Sequence, residues 1–104
     1  MINKLLYRYE KDVLRTEQPE FRNDIKKALV AGALGLNGEA GETAEVVKKA
    51  VIQGRGLDSE ELIEEAGDTL YYLCYLLIKA GSSLEECIAK NVEKRQEKFP
   101  KGFK

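Results

Sequence analysis

Three observations predict an all-α fold for this chain of 104 residues. Proline occurs only at positions 19 and 100, helix-forming residues fill most of the interval, and apolar residues recur with helical spacing. Clusters of β-branched residues, which favour strands, are sparse. We therefore predict one domain, residues 1–104, folded as a bundle of four to five helices in which two antiparallel helices carry an acidic motif.

The first two helices are delimited by proline and glycine. The first is predicted over about residues 2–17, because Pro19 prevents it from continuing. Its apolar side consists of Leu5, Leu6, Tyr9 and Val13. The second is predicted over about residues 23–53 and ends at the "GRG" of residues 54–56. Its interior glycines are unfavourable in a helix, and we expect a kink near Gly35.

The third and fourth helices begin at capping boxes, in which a polar side chain bonds the backbone of the first helical turn. Asp58-x-x-Glu61 opens the third helix, and Gly81 is the expected glycine after its last turn. Two boxes compete for the start of the fourth, namely Ser82-x-x-Glu85 and Ser83-x-x-Glu86. The fourth helix is predicted to reach about residue 98, before the second proline.

The third helix contains "LYYLCYLLI" (residues 70–78), which is apolar or aromatic on every side. A run of this length is too short to span a bilayer, which needs about 20 residues. A helix without a polar face must be covered all round, and four short helices leave its outer face open. We therefore predict a homodimer or homotetramer whose interface includes Leu70–Ile78.

Composition excludes several classes of function. The net charge is −1, so nucleic-acid binding is not expected. Histidine is absent, which excludes catalytic triads and metal sites built on imidazole. Cys74 lies in an apolar run and is expected to be a reduced, buried thiol. The first twelve residues, "MINKLLYRYEKD", lack the features of a signal peptide, so we expect a cytoplasmic protein without a membrane partner.

The most informative feature is a near-repeat, "EAGET" (39–43) and "EAGDT" (65–69). Acidic residues three positions apart share one helix face. One such pair is common on solvated helices, but two matched pairs in apolar surroundings on antiparallel helices indicate a shared site. Four facing carboxylates require a cation, and all-oxygen ligands favour Mg²⁺ or Mn²⁺. We expect Gly41 and Gly67, inside the two pairs, to let the helices approach closely.

The two acidic pairs, Glu39-x-x-Glu42 and Glu65-x-x-Asp68, resemble the signature of the MazG-like all-α nucleoside triphosphate pyrophosphohydrolases. The flanking "LGLNGEAGETAEVVKK" and "EEAGDTLYYL" are similar to that family's helices, and "NVEKRQEKFPKGF" is similar to its closing motif. The resemblance covers about residues 29–103.

The resemblance implies Mg²⁺-dependent hydrolysis of a nucleoside triphosphate (NTP or dNTP) to the monophosphate and pyrophosphate, in the role of nucleotide-pool cleansing. Metal is assigned to all four acidic residues: Glu39, Glu42, Glu65 and Asp68. Either Glu39 or Glu42 is also expected to orient the attacking water.

Substrate contacts are predicted for five residues: Lys48, Tyr72, Asn91, Lys94 and Lys98. The lysines supply the positive charge that polyphosphate needs, with Arg55 as a weaker candidate. Tyr72 lies one turn after Asp68, where the family often places an aromatic side chain against the nucleoside. Lys48 has an alternative role as an exposed partner of Glu45, and Asn91 as an ordinary helix-surface residue.

The closing motif departs from the family pattern at one position, since Lys98 stands where arginine is frequent. Lysine is not an equivalent phosphate ligand, and Arg95 is placed to compensate. An alternative hypothesis is a non-catalytic helical metal-binding or interaction module. It accounts for the apolar third helix and the acidic motif but leaves the Asn, Lys and Arg of the closing motif unexplained.

Overall fold

The computed structural model describes residues 2–103, with side chains from Lys4 onward. Four α-helices form it: α1 (Ile2–Arg15), α2 (Ile25–Ile52), α3 (Ser59–Lys79) and α4 (Leu84–Lys98), with a 3₁₀ turn at Pro19–Phe21 after α1. No strand occurs in the described part of the chain, where β pairing is limited to an isolated bridge between Pro100 and Gly102. The predicted all-α class is confirmed, and the predicted helix boundaries agree to within about two residues.

Side-chain caps explain where the helices begin. The carboxylates of Asp24 and Asp58 accept hydrogen bonds from the backbone at the starts of α2 and α3. At α4 the competition between two capping boxes is resolved, because the hydroxyl of Ser83 accepts from the backbone N–H of Glu86 at 3.1 Å. Ser82 instead donates to the carboxylate of Glu86.

The end of α3 has the backbone pattern expected of a glycine cap. Gly81 has a φ of +84°, and its N–H donates to the carbonyl of Ile78 at 3.0 Å. The next N–H, of Ser82, donates to the carbonyl of Leu77 at 2.8 Å. These two bonds define a Schellman motif, so the sharp turn into α4 depends on a residue without a side chain.

Helices α2 and α3 pack antiparallel along most of their length. A Cβ at Gly32 would lie 2.9 Å from the Leu76 side chain, and one at Gly35 would lie 2.4 Å from the ring of Tyr72. Thr43, further along α2, meets Thr69, earlier in α3, which establishes the opposite directions. Helix α2 is continuous from Ile25 to Ile52, so its interior glycines do not interrupt it.

The prediction about Gly41 and Gly67 is wrong. A Cβ built at either position meets nothing within 4 Å, so neither glycine allows α2 and α3 to approach each other. Both face away from the α2–α3 contact, on exposed helix surface. The close approach takes place further along the same helix pair, at Gly32 and Gly35.

A small core lies where α1, α2 and α3 meet the start of α4. Its buried members are Val13, Ala28, Cys74, Tyr75 and Leu84. Of the predicted apolar side of α1, Leu6 and Tyr9 pack against this core, whereas Leu5 is 68% exposed. Cys74 is a free, buried thiol, as predicted, and burial raises its pKa to about 11.

The chain is open for its size. Its radius of gyration is 16.3 Å, whereas about 13 Å is expected for a compact domain of this length. Its accessible surface is 8147 Å², against about 5,900 Å² for a compact monomer of 11.7 kDa. Exposed apolar side chains such as Leu34, Val51 and Ile63 contribute to this excess. Among residues 2–103, no helix is long and apolar enough to cross a membrane.

Candidate metal and nucleotide site

Three of the four predicted ligands converge. Glu39 and Glu42 of α2 and Glu65 of α3 each place one carboxylate oxygen so that the three oxygens lie within 4.8 Å of one another. This arrangement follows from the three-residue spacing on α2 and from the antiparallel packing that turns α3 toward it. Oxygen-only ligands at this separation suit a hard divalent cation.

The oxygens of the two motifs are in a partly dry environment. Glu39 Oε2 and Glu65 Oε2 are buried without a hydrogen-bond partner. Burial and the neighbouring carboxylates raise the pKa of Glu39 to about 6, and burial together with Glu42 raises the pKa of Glu65. Buried carboxylate oxygens normally have partners, so these unpartnered atoms fit a site for a bound cation.

The fourth predicted ligand, Asp68, is exposed and lies outside this three-residue group. Its charge nevertheless helps to raise the pKa of both Glu39 and Glu65, which places it near the cluster. An aspartate is also one methylene shorter than a glutamate, so Asp68 has a shorter reach than Glu42.

Two threonines join the helices beside the carboxylates. The hydroxyl oxygens of Thr43 and Thr69 are 2.9 Å apart. Each hydroxyl also lies within hydrogen-bond distance of the carbonyl four residues earlier, at 2.9 Å for Glu39 and 3.0 Å for Glu65. Both threonines are half-buried. The two copies of the near-repeat are therefore in contact with each other across the α2–α3 pair.

A shallow groove of about 260 Å³ borders the cluster, and it is lined by Glu42, Glu45, Val46, Lys49, Glu61 and Glu65. Lys49 is the cation in this lining, whereas the predicted Lys48 pairs with Glu45 at 3.8 Å on the exposed surface. Sequence reasoning missed Lys49, although helical spacing contains the signal. Residues 42, 46 and 49 lie at i, i+4 and i+7 and share a face, while residue 48 points elsewhere.

Tyr72 lies on the same helix contact, one turn beyond Asp68. Its ring packs over the backbone of Gly35 and meets the ring of Tyr71 edge to face, with centroids 5.1 Å apart. It also lines a cavity of about 190 Å³, whose walls are Thr16, Glu17, Gln18, Phe21, Ala31, Gly32, Tyr71, Tyr72 and Tyr75. An aromatic cavity therefore opens on the α2–α3 contact that carries the carboxylates.

A buried carboxylate forms part of the cavity wall. Glu17 accepts hydrogen bonds from the Tyr75 hydroxyl and from Lys79, with which it forms an ion pair. Burial alone would raise the pKa of Glu17, but these two donors hold it below its ordinary value. Glu17 is therefore ionised and paired, and it ties the end of α1 to α3. The sequence contained no signal for this contact.

The three predicted contacts from the closing motif, Asn91, Lys94 and Lys98, are all exposed on α4. Asn91 accepts a hydrogen bond from Arg95 at 3.1 Å, and together with Lys94 it lines a groove at the C-terminal end of α3. The Lys98 ammonium lies over the Phe99 ring. Within residues 2–103, α4 packs against α1 and α3 but not against α2. One chain therefore does not bring these residues to the carboxylates.

Comparison with known families agrees with the fold and the acidic cluster. The MazG nucleotide pyrophosphohydrolase domain matches residues 30–103. The chain belongs to this family, whose fold is all-α. Neither the curated proteins nor the solved structures with which the chain was compared gave a match.

Proposed function

We propose that this protein is an enzyme that hydrolyses nucleoside triphosphates, NTP or dNTP, to the monophosphate and pyrophosphate, with Mg²⁺ or Mn²⁺ as cofactor and nucleotide-pool cleansing as its role. The observation that carries the proposal is the carboxylate cluster of Glu39, Glu42 and Glu65, which contains buried oxygens without partners. The family supports nucleotide pyrophosphohydrolysis as the reaction. We further propose that residues 1–104 act as one catalytic domain.

The cluster fits a hard divalent cation by number, type and separation of its oxygens. Bound there, Mg²⁺ would polarise the phosphates and lower the pKa of the attacking water. Glu39, Glu42 and Glu65 would hold the cation, and Asp68, the fourth residue assigned to the metal, would add negative charge at the edge of the site. Glu39 or Glu42 would also orient the water and accept its proton, since a carboxylate oxygen that the cation does not use can act as a base.

Substrate is expected to lie along the α2–α3 contact. Lys49, in the groove beside the carboxylates, is placed to hold phosphate, and we propose it in addition to Lys48. The base is proposed to occupy the aromatic cavity, where Tyr72 offers its ring. The cavity and the acidic cluster are about two helical turns apart, since Tyr72 follows Glu65 by seven residues and Gly32 precedes Glu39 by seven.

We propose that the active protein is a homodimer or homotetramer. Along α3, Ile63, Gly67 and Leu70 form one stripe, with Ile63 70% and Leu70 42% exposed. A second copy covering this stripe would reduce the excess surface, and Gly67 would permit its close approach. A partner's α4 would also supply the Asn91, Lys94 and Lys98 contacts that one chain does not bring to its own carboxylates.

The reaction is tested by incubating the protein with canonical and modified NTPs and dNTPs and Mg²⁺, and by measuring pyrophosphate and monophosphate. We expect stoichiometric release of both products by the wild type and loss of release by Glu65→Gln. The matched control is Glu64→Gln, which neutralises an exposed acid at the adjacent position and should retain activity. Cation binding without hydrolysis of any substrate would instead favour the non-catalytic metal-binding module.

The assembly is tested by sedimentation at micromolar concentration, where a clean monomer would contradict it. A second test mixes two inactive variants, Glu65→Gln and Lys94→Ala. If each site combines α2 and α3 of one subunit with α4 of another, mixed oligomers contain one intact site and recover part of the activity.

A further inference from the structure

The two threonines of the near-repeat have no role in the proposed reaction, yet they form a specific contact. The Thr43–Thr69 contact is the one hydrogen bond found between side chains of α2 and α3 within residues 2–103. Further along the helix pair, at Gly32 and Gly35, the contact is made by glycine and by the side chains of Leu76, Tyr75 and Tyr72. Apolar helix faces tolerate small sliding movements, whereas a hydrogen bond has a narrow range of length and angle. The threonine pair is therefore suited to set the register of the two helices.

The proton count shows that the bond between the helices competes with local bonds. Each hydroxyl has one proton to donate, and the pair makes three short contacts: one to the carbonyl of Glu39, one to the carbonyl of Glu65, and one with each other. Two protons cannot serve three contacts. One threonine therefore donates to the other, which in turn donates to the carbonyl of its own helix. The helices are joined at the expense of one local bond.

The position of the pair relates it to the carboxylates. Thr43 directly follows Glu42, and Thr69 directly follows Asp68. Without a cation, the carboxylates of Glu39, Glu42 and Glu65 repel one another across the helix contact, and the repulsion acts to separate α2 from α3. A hydrogen bond beside them opposes this separation and keeps their oxygens at the spacing that a cation requires.

We propose that Thr43 and Thr69 are positioning residues, which hold the two copies of the acidic motif in register and so preorganise the cation site. The inference rests on the proposed function for the presence of the cation. Removing groups that orient metal ligands typically costs 10–100-fold in metal affinity. Loss of either hydroxyl should therefore weaken cation binding about tenfold, with the fold retained, because valine has nearly the shape of threonine and leaves no donor unpaired at this site.

The experiment measures the Mn²⁺ dissociation constant, by calorimetry or by the Mn²⁺ paramagnetic resonance signal, for the wild type and the variants Thr43→Val, Thr69→Val and Thr43→Val/Thr69→Val. Since one bond joins the pair, we expect the double variant to bind Mn²⁺ about as weakly as either single variant. Thr43→Ser and Thr69→Ser keep the hydroxyl and should restore affinity to near that of the wild type.

The matched control is Thr16→Val. The Thr16 hydroxyl also bonds a carbonyl of its own helix and a hydroxyl of α3, that of Tyr71, but it joins the end of α1 to α3 and makes no bond between the two helices that carry the acidic motif. The Thr16→Val variant should bind Mn²⁺ with the affinity of the wild type. Urea unfolding in EDTA provides a readout without metal, in which the two valine substitutions should be non-additive because they remove the same bond.

The outcomes separate this inference from the proposed function. Wild-type affinity in the folded valine variants, or weakening that serine does not restore, would overturn the positioning role while leaving the cation site intact. Additive losses of Mn²⁺ affinity in the double variant would also overturn it, because they would mean two independent contributions. Absence of Mn²⁺ binding by the wild type would refute the proposed function itself, and the positioning role with it.

Discussion

The two copies of the acidic motif, Glu39–Thr43 on α2 and Glu65–Thr69 on α3, are identical at four positions and differ at one. Their first glutamates each have a buried, unpartnered oxygen, their glycines both face open space, and their threonines bond each other. At the fourth position Glu42 joins the oxygen cluster, whereas Asp68 does not. Matching backbone positions thus carry an asymmetric set of carboxylates, with the longer glutamate inside the cluster and the shorter aspartate outside it.

Because of this asymmetry, α2 and α3 contribute differently to the proposed site. The matched glutamates and threonines come from both helices and have similar surroundings. Such similarity is expected when two antiparallel helices are related by local two-fold symmetry. The unmatched pair gives the cluster one near and one more distant carboxylate. A cation would therefore be held mainly by α2, with Glu65 as the contribution of α3 in the described geometry.

The largest expected effect tests the unmatched position. Glu42→Gln should remove most of the Mg²⁺-dependent activity, since the cation supplies several kcal/mol of transition-state stabilisation. It should also reduce the rise in Tm that Mg²⁺ causes by binding the native state. Metal-free stability should stay constant or increase, because a repelling charge is removed.

Asp68→Asn is the comparison variant and should reduce the Mg²⁺-induced Tm shift less than Glu42→Gln does. Equal metal-induced shifts in the wild type and both variants would eliminate the cation site. Loss of stability in both, with or without Mg²⁺, would assign the acids to structural pairing instead.

The second prediction contrasts the glycine that faces a neighbour with one that does not. Gly35→Ala forces the Tyr72 ring to move, because the new Cβ would lie 2.4 Å from it. Overpacking of this kind typically costs 1–3 kcal/mol, measurable by urea unfolding. Gly38→Ala, with nothing within 4 Å, should instead stabilise α2 by up to about 1 kcal/mol. A loss of similar size in both variants would contradict the close approach at Gly35.

The third prediction uses the position one turn beyond each motif, which is Val46 on α2 and Tyr72 on α3. Tyr72→Ala should raise KM at least several-fold, since stacking on a base is worth about 1–3 kcal/mol. Val46→Ala should lower stability, because Val46 is buried, and should change KM less than Tyr72→Ala does, because the apolar side chain of Val46 offers no charge or hydrogen bond to phosphate in the groove that it lines. Steady-state kinetics on the folded variants measures KM for both. An unaltered KM in Tyr72→Ala would show that the Tyr72 ring serves packing and does not contact the base.

The smallest expected effect is a dependence of metal-free stability on pH. Glu39 has a pKa of about 6 in the folded chain, against an ordinary value of 4.5, so the folded state binds more protons than the unfolded state between these values. Stability should therefore decrease as pH rises from about 4.5 to about 6 and then level off.

Thermal melts in EDTA across this range test the pH dependence, with Glu39→Gln expected to flatten it. Glu65→Gln should flatten it too, because the pKa of Glu65 is also raised. If the Tm of the wild type does not vary with pH in this range, the neighbouring carboxylates do not raise the pKa of Glu39.

Features that depend on local sequence were predictable. The caps at Asp58 and Gly81 follow from backbone groups that only a nearby side chain or a left-handed residue can satisfy. The position of Glu39 and Glu42 on the same face of α2 follows from helical periodicity. Family resemblance, now supported over residues 30–103, follows from spacing along the chain. None of these requires knowledge of how the helices pack.

Packing between helices decided the rest. Helical period alone shows that Gly35 and Gly41 lie in one helix, but only the tertiary contact reveals that Tyr72 covers the first and nothing covers the second. The presence of Lys49 rather than Lys48 in the groove lining and the burial of Glu17 likewise depend on which parts of the chain meet a neighbour.

By itself, the sequence determined the all-α class, the approximate ends of the helices, the pairing of acidic residues and the family, because these depend on interactions between residues close in the chain or on their spacing. Only the tertiary structure decided that the threonines of the two motifs bond each other, that Asp68 lies outside the carboxylate cluster, and that α4 does not pack against α2. The physical reason is that register and distance between helices are fixed by side-chain packing, which periodicity along one helix does not specify.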